Sequence, residues 1–204
     1  MTTGAERPPS ARVLYAIIGV LLAVLMLSVG GYMFLTGAWP VAMTVGGPFT
    51  LVDGDGKTVT DKTWRGKFAL VYFGYTFCPD VCPTTLTAVA DALERLGPKA
   101  ARVQTLFITV DPKRDTAAVV KQYAAAFGPR VIGLTGSAEQ ITAVARAYRV
   151  YYAEHRAKDA APGDYTMDHS SVLYLMGPDG QFIAPIRADQ TGAEIAAALA
   201  KLIS

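Results

Sequence analysis

A single long apolar run dominates the start of the chain. Residues 13–35 are almost wholly apolar, and residues 13–52 contain no charged side chain. A helix of about 20 residues, rising 1.5 Å per residue, is long enough to cross the hydrocarbon core of a bilayer. The pattern therefore predicts one N-terminal transmembrane helix over residues 13–36, after a short tail of residues 1–12.

The charges around this run predict its orientation. Two arginines and one glutamate precede it, and nothing charged follows it closely. The positive-inside rule then places the tail in the cytoplasm and the remainder outside. We expect a single-pass protein of the bacterial inner membrane, with a linker over residues 37–47 and a periplasmic domain over residues 48–204.

A cleaved signal peptide is the competing interpretation of the same segment. Small residues at positions 36–38 offer a cleavage site. The apolar part of a signal peptide usually spans about 7–15 residues, and this run is longer, so the pattern favours a retained anchor. The tail is also too poor in arginine for a mitochondrial transit peptide.

After the linker, short apolar runs alternate with segments of helical periodicity. The continuous runs 68–73 and 103–110 are typical of strands that are buried on both faces. The alternation predicts an α/β domain, a mixed sheet flanked by helices on both faces. The predicted strands are 49–52, 57–59, 68–73, 103–110, 131–134, 171–176 and 181–185, with a further short strand at 149–152. The predicted helices are 83–96, 116–127, 137–148 and 191–203. The polar segment 153–168 is predicted to be irregular.

Composition and charge exclude several classes of function. The net charge is +2 with no long run of one sign, which argues against a nucleic-acid surface. Two cysteines are too few for a disulfide scaffold, and a chain that is 51% apolar can build a core without one. The acidic segment 53–56 is predicted to be a hairpin turn rather than a calcium loop, because Trp64 stands where the loop would need glutamate.

Both cysteines lie in the segment 76–83, directly after a predicted central strand and ahead of a predicted helix. Ligands of open α/β sheets usually bind at this carboxyl edge. The positive end of the helix favours the thiolate form of Cys82 and, to a lesser degree, of Cys78. Two neighbouring thiols can bind a soft metal, cycle between dithiol and disulfide, or lock a loop.

The spacing of the cysteines favours the metal among these three uses. Residues four apart in a helix have Cβ atoms about 5–6 Å apart, whereas a disulfide needs about 3.5–4.5 Å. A metal with bonds near 2.3 Å tolerates up to about 4.5 Å between the sulfurs. Redox cycling of Cys78 and Cys82 remains an alternative, because a looped backbone could bring the two sulfurs close enough for a disulfide. A disulfide that only locks the loop is the least favoured use, because the domain is large enough to fold without one.

A histidine supplies the third donor. His155 lies in a charged segment and is interpreted as solvated, whereas His169 immediately precedes the strand 171–176. Two thiolates and one imidazole suit Cu(I) or Cu(II), with zinc as the alternative. Asp80 and Asp168 are candidates to orient these ligands by hydrogen bonding.

Three blocks of sequence, 73–83, 111–115 and 165–175, follow one another in this order behind the apolar segment. With them the chain resembles the Sco/SenC family of copper-binding assembly factors for cytochrome c oxidase. The resemblance implies a thioredoxin-like fold, and copper bound by Cys78, Cys82 and His169. It also implies delivery of copper to the binuclear CuA centre of oxidase subunit II, with an unidentified copper donor and an unidentified thiol reductant as further partners.

Two alternatives and one ambiguous residue accompany this interpretation. The chain could act as a thiol–disulfide reductase that keeps the CuA cysteines reduced. Less favoured is a peroxiredoxin-like peroxidase in which Cys78, after Thr76, attacks peroxide. Thioredoxins carry a cis-proline before the strand that faces the redox motif, and residues 166–171 contain none.

Asp111 either lies near the metal or simply pairs with Arg114 or caps the next helix.

Overall fold

The computed structural model describes residues 11–36, 44–159, 161 and 164–203. The chain forms two compact units, Met1–Met43 and Thr44–Ser204. In the first, α1 (Ala11–Thr36) is a helix long and apolar enough to cross a membrane by length and composition. Most of the predicted tail, 1–12, and most of the predicted linker, 37–47, lie outside the described residues, and retention of the anchor stays a prediction.

The second unit alternates strands and helices. Its strands are β1 (Thr50–Asp53), β2 (Thr58–Thr60), β3 (Phe68–Gly74), β4 (Val103–Thr109), β5 (Val131–Thr135), β6 (Tyr152–His155), β7 (Thr166–His169), β8 (Val172–Met176) and β9 (Phe182–Arg187). Its helices are α2 (Val81–Arg95), α3 (Ala117–Ala125), α4 (Ala138–Ala147) and α5 (Gly192–Leu202), with a 3₁₀ helix at Gly97–Arg102.

Seven of these strands form one mixed sheet in the order β2-β1-β5-β4-β3-β8-β9. Strands β3, β4 and β5 are parallel, and β8 pairs antiparallel to β3. The sheet is buried on both faces at its centre, as the continuous apolar runs predict. Phe73 packs against Tyr148 at the end of α4, whereas Tyr72 faces Phe107, which in turn contacts Tyr123 of α3. The predicted mixed sheet between helices is therefore confirmed. Because β3 is packed on both faces at the centre of the sheet, its carboxyl end is held rigidly.

The prediction of an irregular segment over 153–168 is wrong at both ends, where residues 153–155 and 166–168 belong to strands, and the described residues between these strands are irregular. Strands β6 and β7 form a separate antiparallel pair in which Tyr152 lies opposite His169. On β7, Met167 is buried and its neighbours Thr166 and Asp168 are exposed. This alternation covers only four, mostly polar, residues, so it does not stand out in the sequence. The strand predicted at 149–152 begins only at its last residue, because Arg149 adopts φ 59° after α4.

The start of one predicted helix also differs from the structure, whereas the cap of another agrees with it. Helix α2 begins at Val81 rather than at Pro83, so that Cys82 lies in its first turn. Pro83 is tolerated there because the first amide groups of a helix have no intrahelical acceptor. The predicted capping box of α4 is present, with Ser137 and Gln140 exchanging hydrogen bonds.

Candidate metal centre

The cysteine loop turns sharply between the last residue of β3 and the start of α2. The amide of Cys78 donates to the carbonyl of Tyr75 at 3.3 Å, and the amide of Cys82 donates to the sulfur of Cys78 at 3.3 Å. Both cysteines are free thiols; Cys78 is half-buried and Cys82 is buried. The loop therefore brings the two sulfurs together with one of them facing solvent.

A buried carboxylate fixes this loop to the end of β4. Asp115 is fully buried, and it accepts hydrogen bonds from the amide of Thr76 at 2.9 Å and from its hydroxyl at 2.6 Å. The hydroxyl of Thr109 donates to the same carboxylate at 2.5 Å. Burial raises the pKa of Asp115. The hydroxyl of Thr76 therefore donates its proton to Asp115.

His169 completes the cluster from β7. Its Nδ1 lies 3.2 Å from the carbonyl oxygen of Ser170, a contact that orients the ring. Its Nε2 lies 3.3 Å from the sulfur of Cys82. The rings of Tyr72 and Tyr75 stand edge-on to the imidazole, with centroids 6.2 and 6.1 Å away.

The two sulfurs differ in their protonation. The hydrogen bond from Cys82 lowers the pKa of Cys78 to about 3, against the opposing effect of burial. The same hydrogen bond, together with burial, raises the pKa of Cys82. The half-buried sulfur of Cys78 therefore favours the thiolate form, and the buried sulfur of Cys82 favours the thiol form.

The donor set fits a soft metal. The sulfurs of Cys78 and Cys82 and a ring nitrogen of His169 all lie within 4.8 Å of one another. Two thiolates and one imidazole are the ligands that Cu(I), Cu(II) and zinc accept. The half-buried position of Cys78 leaves the cluster open on one side, where a ligand from another molecule can approach.

The other predicted site residues lie around the cluster without joining it. Asp80 is exposed and accepts from the hydroxyl of Thr84 at 3.3 Å. Asp168 is exposed, and strand alternation turns it to the face opposite His169. His155 is exposed on β6, which agrees with the prediction of a solvated histidine.

Asp111 forms a buried ion pair instead. Its carboxylate is 2% exposed and accepts from Nε of Arg114 at 2.5 Å and from the hydroxyl of Tyr165 at 2.9 Å. Arg114 also donates to the carbonyl of Tyr165 at 2.9 Å and lies over the ring of Phe77, 4.6 Å from its centroid. This network ties the cysteine loop to the segment that leads into β7.

Sequence reasoning missed three residues that shape the cluster: Asp115, Tyr165 and Gly74. An acid in a loop that follows a buried strand is a weak signal, since most such acids are solvated. The structural role of Tyr165 becomes visible only when β7 is placed beside the loop after β4. Gly74 had a clearer signal, because glycine ends an otherwise bulky strand at the point where the cysteine loop begins.

We expect Gly74→Ala to damage the cluster without a change of charge. An added methyl would lie 2.8 Å from the sulfur of Cys82 and 2.9 Å from the ring of Phe107. Such overpacking costs about 1–3 kcal/mol of folding free energy, and it displaces a sulfur ligand. Thermal unfolding and a copper titration of the same preparation measure the two effects.

Gly177→Ala is the matched control. Gly177 directly follows β8 of the same sheet, but its added methyl would first meet the side chain of Asp179, at 2.8 Å. We expect wild-type copper affinity in this control. Equal affinity in the Gly74 and Gly177 variants would contradict the close fit between Gly74 and Cys82.

The fold and the cluster together define a class of protein: a thioredoxin-like domain that carries a pair of cysteines and one histidine at the carboxyl edge of its sheet. Comparison with known families identifies the family, within this class, to which the chain belongs. The profile of the SCO1/SenC family matches residues 40–204. The chain belongs to this family.

Named relatives agree with this assignment. The chain is 47% identical over 140 residues to "Protein SCO1 homolog 1, mitochondrial" of Arabidopsis thaliana, covering 68% of this chain and 41% of that protein. It is 47% identical to Bradyrhizobium japonicum ScoI, solved with copper bound, with a TM-score of 0.70 and coverage of 78% and 99%. It is 26% identical to BsSco, described as a member of the Sco family of cytochrome c oxidase assembly proteins with a disulfide switch, with a TM-score of 0.60 and coverage of 78% and 94%. The chain spans less than half the length of the Arabidopsis relative.

Proposed function

We propose that this protein is a copper chaperone, which binds copper through Cys78, Cys82 and His169 and delivers it during assembly of cytochrome c oxidase. The observation that carries the proposal is the meeting of two sulfurs and one ring nitrogen within 4.8 Å of one another at an open edge of the sheet. The copper-bound structure of a relative with 47% identity supports the same choice of metal.

The acceptor in this proposal is the binuclear CuA centre of oxidase subunit II. The cysteines of that centre would offer copper the same soft thiolate donors as the cluster here. Transfer between two such sites is an exchange of ligands, which requires that the donor site be open to the acceptor. Cys78, the more exposed sulfur, would meet the acceptor first, and the buried Cys82 would release the metal last.

Anchoring in the inner membrane and a periplasmic position of the second unit belong to the same proposal. The length and apolar character of α1 support the anchor, and the arginines before it support a cytoplasmic N-terminus. A periplasmic thiol pair meets oxidising conditions, so the protein would need a reductant as well as a copper donor.

Thiol–disulfide reduction of the acceptor's cysteines is the second candidate function. The lowered pKa of the half-buried Cys78 favours it, because the thiolate is the attacking form. In that reaction Cys78 attacks the acceptor disulfide, Cys82 resolves the mixed disulfide, and two electrons pass to the acceptor. The described disulfide switch of BsSco agrees with such chemistry.

A transfer experiment separates the two functions. The reduced, copper-loaded chain is mixed under anaerobic conditions with the soluble domain of oxidase subunit II, either as the copper-free dithiol or as the disulfide. We expect copper to move to the dithiol form, as measured by the copper content of the two proteins after separation, because ligand exchange needs reduced acceptor thiols. Cys78→Ser serves as the control that lacks one sulfur ligand. If the copper-free chain reduces the disulfide form, and the loaded chain transfers nothing to the dithiol, reduction is the function.

A further inference from the structure

The cysteine loop leaves two large apolar side chains in solvent. Phe77 is 58% exposed and Val81 is 46% exposed, and they directly precede Cys78 and Cys82 in the chain. Among the residues that the structure describes from position 44 onwards, the other exposed large apolar side chains are Tyr151 and Ile183. Single exposed apolar residues are common, but a pair that flanks a ligand loop indicates a surface that another molecule covers.

A cavity lies directly beside Phe77. Its volume is about 330 Å³, and it is lined by Thr76, Phe77, Val119, Gln122 and Tyr123. The first two residues belong to the cysteine loop and the other three to α3, so the cavity lies between the loop and this helix. Cavities of this size with mostly apolar walls are typical binding sites for apolar groups.

The exposed ring of Phe77 is held in place from one side. The guanidinium of Arg114 lies over it, 4.6 Å from the ring centroid, and the same guanidinium lies 3.6 Å from the ring centroid of Tyr165. A side chain that is already ordered loses little conformational entropy when a partner binds. Aromatic side chains in such positions often dominate the energy of protein–protein interfaces.

The metal cluster indicates which molecule covers this surface. Cys82 is fully buried, whereas Cys78 is half-buried and gives the cluster its open side. Exchange of copper between two proteins brings a ligand of the acceptor within a bond length of the same ion. The protein that accepts copper must therefore cover the residues next to Cys78, and Phe77 is one of them.

We propose that Phe77, Val81 and the cavity beside Phe77 form the docking surface for the copper acceptor, which inserts an apolar side chain into the cavity. The proposal rests on the copper delivery proposed above and adds the surface that recognises the acceptor. The docking surface sets how tightly the acceptor binds, whereas the three proposed ligands set how tightly copper binds. The two properties can therefore be changed separately.

Val119→Lys tests the proposal, because it places a charged side chain in the cavity from α3 rather than from the cysteine loop. Lysine is a good helix former, so we expect the helix to persist. The full-length, copper-loaded chain in detergent is mixed under anaerobic conditions with increasing concentrations of the reduced soluble domain of oxidase subunit II. The copper content of both proteins is measured after timed separation. We expect the acceptor concentration for half-maximal transfer rate to rise about tenfold, as for loss of an interface hot spot, with an unchanged maximal rate.

Ile183→Lys is the matched control. Ile183 is likewise a partly exposed apolar residue, at 38%, but it lies on β9 at the edge of the sheet. We expect transfer from this variant to follow the wild-type dependence on acceptor concentration. Val81→Ser is a second test variant, on the other side of Cys78, and we expect it to shift this dependence in the same direction as Val119→Lys.

Transfer to a small chelator measures the release of copper without docking, and we expect equal rates for the wild type and all three variants. If Val119→Lys and Val81→Ser transfer copper to the acceptor as the wild type does, the docking surface is overturned. It is also overturned if these variants slow transfer to the chelator as much as transfer to the acceptor, since the cluster itself has then changed. A wild-type chain that releases copper to the chelator but not to the acceptor overturns the delivery function instead.

Discussion

In the His169→Ala variant, we expect the affinity for copper to fall by more than about 100-fold. Loss of a residue that merely supports a ligand already costs about 10–100-fold in metal affinity, and His169 is itself the proposed third ligand. Its Nε2 faces the sulfur of Cys82 at 3.3 Å, so its removal opens the cluster directly. An anaerobic copper titration of the reduced chain against a chelator measures the change, and the Cu(II)–thiolate absorption reports the altered ligand set.

His155→Ala is the matched control for this titration. His155 is the other histidine of the chain, and it lies exposed at the far end of the same pair of strands, opposite Thr166. We expect it to bind copper like the wild type. Equal affinities and equal spectra for the His169 and His155 variants would leave only the two cysteines as ligands, which favours the reductase over the chaperone.

The central strands of the sheet could be predicted from the sequence because burial leaves a strong pattern. The run 68–73 has no polar residue, and a strand with helices on both faces is the arrangement that hides such a run completely. The location of Cys78 and Cys82 then follows, since the residues after such a strand emerge at the carboxyl edge of the sheet. Local sequence is sufficient for both steps.

The β6–β7 pair and its contacts could not be predicted in the same way. Its residues alternate over only four positions, and Met167 is the one side chain of β7 that is buried. The pair is stabilised by distant groups, above all by Arg114 beneath Tyr165, which are 51 positions apart in the chain. Such contacts form only in the completed fold, so the local sequence around β6 and β7 does not predict them.

The three proposed ligands differ in how firmly the surrounding fold holds them in place. Cys82 is fixed in the first turn of α2 and is fully buried. Cys78 lies on a loop that Asp115 fixes through Thr76, two residues away. His169 ends a two-stranded sheet that is separate from the central one. Arg114 is thus decisive, because it links that separate pair of strands to the cysteine loop.

Arg114→Met is expected to be the most destabilising of the substitutions considered. The change leaves the carboxylate of Asp111, which is 2% exposed, without its cation. Removal of one partner from a buried ion pair typically costs about 3–5 kcal/mol, because an uncompensated charge remains in the interior. For a domain of this size, that corresponds to a fall in melting temperature on the order of 10 °C, measured by thermal unfolding of the metal-free protein.

Two further variants isolate the cause. Lys113→Ala removes a neighbouring cation whose pair with Glu154 is solvent-exposed, and such pairs contribute little to stability. Adding Asp111→Asn to Arg114→Met removes the buried charge itself, and an amide can still accept the proton of Tyr165. We therefore expect the double variant to be more stable than Arg114→Met alone. If it is less stable, or if Lys113→Ala is as damaging as Arg114→Met, the cost does not come from an unpaired carboxylate. The stacking of Arg114 on Tyr165, 3.6 Å from the ring centroid, would then be the contact that holds the His169 strand in place.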